Sequence, residues 1–409
     1  MNQRTERGEP EMSEFDERID RRSTADVKWN PEGIKHFLRI ESDENTLPMW
    51  IADMDFRSAP CVVKALQEKA AFGVYGYVGP TTPYYEAVQW WQKERNGWDV
   101  DKSWILSMAG VMPAINCAIR CLTEEGDGVI VQTPVYMNFA ETVQATGRRV
   151  VENPLVFQDG TYHMDYDGLR RVAAAPDVKA LILCNPHNPV GRVWTMEELK
   201  ELCRICEENN VHIISDEIHS DIIYKGHKHI AFGTVPCEAA RKAIVCTSPS
   251  KTFNVQGIKC ANIIIEDPQL RERFCAQCRA LAMHDMDNTF GEAMLRAAYT
   301  PEGEAWLESL LEYLEENVRT AEDFLAKNLP QVRLVHPESS YLTWLDFHGT
   351  NLTEDELYPI LTKKAKVIMN RGSRFGTGGE NFFRFNIGAP RAVVLQALEQ
   401  IAAALQENR

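Results

Sequence analysis

Residues 180–216 read ALILCNPHNPVGRVWTMEELKELCRICEENNVHIISD. Two short apolar runs, ALILC (180–184) and VHIIS (211–215), flank a stretch with helical spacing. Thr195 and Glu198 form a capping box at its start, and Leu199, Leu202 and Cys206 share one face. Strand–helix–strand in this order predicts two parallel strands joined by a crossover helix. The apolar runs show no polar alternation, as expected of strands covered on both sides. Similar runs stand at Val129–Val131 and Ala243–Thr247, so the middle of the chain reads as α/β with a mostly parallel sheet.

Outward from this core the pattern changes. A long helix is expected from Glu302 to Asn328, with Trp306, Leu310 and Leu314 at i, i+4 and i+8. An apolar run at Tyr341–Phe347, a turn rich in glycine (Gly372, Gly376, Gly378, Gly379), the run FFRF (382–385) and a helix from about Pro390 follow. This reads as a smaller α+β domain built from both chain ends. The expected division is 1–56 for an N-terminal arm and part of the small domain, 57–295 for the large domain, and 296–409 for the C-terminal small domain. Residues 1–22, dense in charge and without an apolar stretch, read as a polar arm, disordered or wrapped on another surface.

The 409 residues carry 44 Lys plus Arg against 59 Asp plus Glu, a net charge of −15. That balance argues against nucleic acid as a partner and against a polybasic membrane anchor. No apolar run approaches the ~18–20 residues of a membrane-spanning helix. The 11 cysteines are odd in number and lie mostly in apolar or helical stretches, which reads as reduced thiols in a cytoplasmic protein. Cys203-x-x-Cys206 and Cys275-x-x-Cys278 sit in helix-patterned stretches without the turn of a zinc knuckle, so no metal site is expected. His227 and His229 read as a surface turn.

Three polar clusters each follow an apolar strand: Asn185–Gly191, Asp216–His219 and Ser248–Lys251. Ligands of open α/β sheets bind beyond the carboxyl ends of the strands, so the three converge on one candidate site. Each cluster alone is also turn chemistry, with Asp216 a candidate helix cap and Lys251 a candidate surface lysine. Together they suit an aromatic cofactor bearing an aldehyde, a ring nitrogen, a ring hydroxyl and a phosphate. A lysine amine condenses with the aldehyde, and a buried carboxylate keeps the ring nitrogen protonated. Lys251 and Asp216 fit these roles, Asn188 with His219 fits the ring oxygen, and Ser248 with Ser250 fits the phosphate. Gly110, Val111 and Met112 open a further helix, VMPAINCAIRCL (111–122), whose N-terminus is a second anion-binding element.

The segments NPHNPVG (185–191), SDEIHSD (215–221) and SPSKTF (248–253) resemble the signature of fold type I pyridoxal-phosphate enzymes of the class I/II aminotransferase superfamily. The resemblance runs from about Lys28 to the chain end. PMWIADMDF (48–56), YGY (75–77), NPHNPVGRVW (185–194) and His219 in place of a usual Tyr resemble the cystathionine β-lyase, or C–S lyase, branch. It implies a seven-stranded, mostly parallel sheet and pyridoxal 5′-phosphate as cofactor. It further implies Lys251 as the covalent lysine and general base, Asp216 at the pyridine nitrogen, and Asn188 and His219 at the ring oxygen. Tyr136 would stack on the ring. Arg384 would grip the substrate α-carboxylate, with Asn188 beside it. Tyr77 would reach into the partner subunit's site of a homodimer.

Lys259 stands eight residues after Lys251, where superfamily members often carry a phosphate-binding Arg. It reads equally as a point-charge phosphate contact and as a solvated loop lysine. The implied reaction is β-elimination from L-cystathionine or a related L-cysteine S-conjugate to a thiol, pyruvate and ammonia. An aminotransferase of the same fold and a cofactor-binding regulatory protein are the competing readings.

Overall fold

The computed structural model describes residues 13–283 and 287–407. Its central sheet has seven strands: β1 (Ile105–Met108), β2 (Gly128–Val131), β3 (Arg149–Glu152), β4 (Val178–Cys184), β5 (His212–Asp216), β6 (Ile244–Thr247) and β7 (Ala261–Ile264). They lie in the order β1-β7-β6-β5-β4-β2-β3. All neighbours pair in parallel except β7, which runs antiparallel to both β1 and β6. The α/β reading, with a mostly parallel sheet of seven strands, agrees with this architecture. Ala180, Leu181, Ile182 and Leu183 are fully buried, because helices cover both faces.

The helix expected after Gly191 spans Met196–Glu208 and has the Thr195–Glu198 capping box. Its buried face holds Leu199, Leu202, Cys203, Ile205 and Cys206, at roughly 1.5–3 kcal/mol for each large aliphatic side chain removed from water. The 111–122 stretch is helical throughout (Val111–Leu122).

A second sheet is formed by β8 (Arg333–Val335), β9 (Leu342–Asp346), β10 (Asn370–Arg371) and β11 (Phe382–Asn386), in the order β8-β9-β11-β10 and antiparallel throughout. The long helix runs Pro301–Asn328 and the last helix Arg391–Gln406. The N-terminal part of the chain joins this layer: Leu47 and Pro48 pair in parallel with Val367 and Ile368.

The polar-arm reading of residues 1–22 divides at the described boundary. Residues 1–12 lie outside the described residues. Residues 13–22 pack on the body of their own chain, a departure from that reading. Phe15 is buried against Phe56, Trp306 and Tyr313, and the Tyr313 hydroxyl donates to Asp16 (2.6 Å). Charge spacing hid one aromatic anchor among many polar residues. Arg21 donates to Asp55 (2.7 Å) and to the Met54 carbonyl (3.0 Å). Lys28 is fully enclosed and donates to Asp55 and to the Asp53 carbonyl, both at 3.0 Å. The enclosed Lys28 and the half-buried Arg21 tie down the segment 50–56 over the carboxyl edge of the central sheet. Among the described residues no helix is long and apolar enough to cross a membrane.

Candidate functional site

The carboxyl ends of β1, β4, β5 and β6 point to the same edge of the sheet, and the polar clusters begin there. Asn185–Gly191 leaves β4, Asp216 closes β5, and Ser248–Lys251 leaves β6. Beyond β1 the chain turns at Gly110 into the helix Val111–Leu122. Gly110 holds φ +125°, a conformation closed to L side chains. The first N–H groups of a helix have no intrahelical acceptor, and here no side chain caps them.

These ends enclose a cavity of ≈ 290 Å³. Lys251, Asp216, Asn188, His219, Tyr136, Ser250, Lys259 and Gly110–Met112 all line it, and the segment 50–56 contributes Ala52. Lys251 is half-buried and donates to the Ala52 carbonyl (2.7 Å). Burial holds its amine down to about 8, against the pull of Asp53 and Asp216. Asp216 is buried, and burial pushes its carboxyl up to about 7. Its side chain accepts one backbone N–H, from Ile218 (3.1 Å). Among the described residues it forms no ion pair. A buried carboxylate without a cation suits a protonated ring nitrogen.

His219 is buried and held neutral: burial drives its imidazole down to about 3. Its Nδ1 lies 3.2 Å from Ser340 Oγ. Arg384 is buried behind Asn188. Its guanidinium donates to Asn188 Oδ1 (3.2 Å), the Trp50 carbonyl (3.0 Å) and Asn370 Oδ1 (2.9 Å). Its Nε has no partner, no carboxylate pairs with it among the described residues, and burial lowers its affinity for a proton to about 10. A guanidinium so placed accepts a carboxylate in two-pronged fashion.

Three expected site residues lie apart from the cavity wall: Arg384, screened by Asn188, together with Ser248 and Tyr77. Ser248 turns inward, with its Oγ 2.6 Å from the Cys260 carbonyl and 2.8 Å from Ser250 Oγ. It stands behind Ser250, its hydroxyl spent on these two internal partners, and Ser250 alone of the pair lines the wall. Tyr77 projects wholly into solvent at 106% relative exposure and touches no site residue of its own chain. Lys259 is exposed at the mouth, with φ +59°. His229, read as part of a surface turn, is instead buried and sits 3.0 Å from Glu217. The Glu217 carboxylate, on the opposite face of the chain from Asp216, needs a buried donor.

Sequence reasoning also missed Gln256 and Tyr341, which donate to the Ala52 carbonyl at 3.0 and 3.1 Å. It missed Asn254, whose side chain accepts from Met54 N–H and donates to the Met54 and Phe56 carbonyls. Gln256 and Asn254 carried a usable signal, lying within five residues of Lys251. Tyr341, inside an apolar run, carried none.

Comparison with known proteins places the chain among related sequences. The family description matching residues 47–401 is aminotransferase class I and II. Cystathionine beta-lyase PatB of Bacillus subtilis is 40% identical over 391 residues, 96% of this chain and 99% of that protein. Cystalysin from Treponema denticola, solved with pyridoxal 5′-phosphate, superposes with a TM-score of 0.93 at 34% identity, covering 98% of this chain and 100% of that one. The PLP-bound C–S lyase from Staphylococcus hominis gives 0.88 at 32% identity, over 96% and 98%.

Proposed function

The chain belongs to the aminotransferase class I and II family, and on that footing we propose that it is a pyridoxal-phosphate-dependent carbon–sulfur β-lyase. Its substrates are L-cystathionine or related L-cysteine S-conjugates, and with water it yields a thiol, pyruvate and ammonia. The observation that carries this reading is the single cavity shared by Lys251, Asp216 and the open N-terminus of the Val111–Leu122 helix. The lyase relatives are 32–40% identical to this chain, against 23% for aspartate and aromatic-amino-acid aminotransferases of similar coverage, which favours elimination over transamination.

The cofactor, linked through Lys251, supplies an electron-poor ring that takes up the electrons released when the substrate Cα proton leaves. The chain's residues do the rest. Ser250, the amides at Gly110–Met112 and the Lys259 ammonium hold the phosphate. Asp216 keeps a proton on the ring nitrogen, Asn188 and His219 flank the ring oxygen, and Tyr136 covers one face. Arg384 orients the substrate through its α-carboxylate. Lys251, brought close to neutrality by burial, takes the Cα proton.

Tyr77 completes the site of a second copy, in a cytoplasmic homodimer. Phe72, Val74, Tyr75 and Tyr77, all exposed on one short stretch, form an apolar patch that supports such pairing. The test is incubation with L-cystathionine in the absence of any 2-oxo acid. The lyase releases pyruvate and free thiol in equal amounts; turnover that requires an oxo acid and releases no thiol assigns the chain to transamination instead.

A further inference from the structure

The segment 50–56 offers its carbonyls to side chains in a fixed pattern. Asn386 Nδ2 donates to the Ile51 and Asp53 carbonyls, both at 2.7 Å. Asn254 Nδ2 donates to Met54 and Phe56, at 2.9 and 2.8 Å, and Arg384 donates to Trp50. The backbone on either side of Ala52 is therefore anchored without help from Lys251. The Ala52 oxygen cannot turn away from the three donors aimed at it: Lys251 Nζ at 2.7 Å, Gln256 Nε2 at 3.0 Å and the Tyr341 hydroxyl at 3.1 Å.

A carbonyl oxygen has two lone pairs, so three donors must share them, and each weakens the others. Tyr341 is fully buried, and the Ala52 oxygen is the acceptor its hydroxyl reaches. Gln256 sits beside both, its amide 3.5 Å from the Tyr341 oxygen.

Resting on the lyase reading above, we propose that Tyr341 and Gln256 are positioning residues that act on Lys251 through the Ala52 carbonyl. They keep this oxygen occupied, so that it steers the lysine amine toward the cavity without holding it there as an ammonium. An ammonium gains more from a full-strength carbonyl than a neutral amine does. Filling the acceptor with neutral donors thus favours the form of Lys251 that can attack an aldehyde or accept a proton. The charged groups around Lys251 act in opposing pairs, Asp53 and Asp216 against Arg384 and Lys259, with His219 neutral beside them. The two neutral donors add no charge to this balance and act through the Ala52 carbonyl they share with the lysine.

The test uses the full-length chain stripped of cofactor. The rate at which it captures added pyridoxal phosphate is followed by absorbance across pH 6–10, for wild type, Tyr341→Phe, Gln256→Met and the double variant. Thermal midpoints are recorded for each, and Gln256→Met reports alone where Tyr341→Phe does not fold. Each single variant should move the midpoint of the rate profile upward by about 0.3–0.5 pH unit, and the double variant further. A purely structural role would scale the rate at every pH and leave the midpoint in place. An unmoved or lowered midpoint, with wild type capturing normally, overturns the inference and leaves the lyase reading intact. A wild-type chain that captures no pyridoxal phosphate removes both.

Discussion

Asp216 and Lys251 face one cavity with their proton affinities displaced toward each other, to about 7 and about 8. Burial is the first cause for both, and it works in opposite directions because one group is charged when deprotonated and the other when protonated. A consequence for stability follows for the cofactor-free chain. The Asp216 carboxyl holds its proton more tightly folded than unfolded. As pH rises from about 4 to about 7 the unfolded chain ionises first, and the folded state progressively loses stability relative to it. Asp216→Asn escapes this loss. Its gain over wild type in urea unfolding should grow across that window and stay level above it; a gain independent of pH would contradict the burial argument.

Arg384 gives a second prediction at this scale. Arg384→Lys keeps the charge and loses the fork, so KM for the amino-acid substrate should rise about 10–100-fold while kcat changes less. The side chains of the site were legible because a lysine, an aspartate and an asparagine placed after apolar strands announce themselves. The Ala52 carbonyl was not, since every residue has one and only the fold selects which points inward.

At the scale of elements, the strands and crossover helices followed from apolar runs and caps that agree with their surroundings. The capping box at Thr195 and the run 180–184 both form as read. The antiparallel strand Ala261–Ile264 did not declare itself, because direction within a sheet is set by neighbours and leaves no mark in a four-residue run. The segment 50–56 is the element that the cavity depends on and that lacks regular structure over most of its length. Side chains from distant positions hold it. Asn254→Ala deletes three hydrogen bonds to it and should cost about 2–3 kcal/mol of stability in denaturant unfolding. A loss below 0.5 kcal/mol would show that the other anchors suffice. Gly110 is the second sensitive element: Gly110→Ala forces a side chain onto φ +125°. It should weaken pyridoxal phosphate binding, measured by equilibrium dialysis, more than it lowers the thermal midpoint.

The whole molecule raises the matter of Tyr77, which is solvent-facing in its own chain and was read from the sequence as serving a partner. If two copies exchange this residue, Lys251→Ala and Tyr77→Ala chains, each inactive or severely impaired alone, should recover activity when unfolded together and refolded. Each hybrid dimer then contains one site with both residues intact. Mixtures no more active than the sum of the parts would confine Tyr77 to its own subunit. The Tyr77 expectation came from a motif, which the sequence displays, whereas the inward packing of residues 13–22 depended on Phe15 meeting Phe56 and Tyr313, residues some 40 and 300 positions away.

On the proposed function, the Lys251 amine binds pyridoxal phosphate covalently. Borohydride reduction of the purified holoprotein, followed by proteolysis and mass spectrometry, tests it directly. A single pyridoxyl phosphate adduct on Lys251, absent from Lys251→Ala, is the predicted result; a protein with no adduct, or with the adduct on another lysine, would contradict the account.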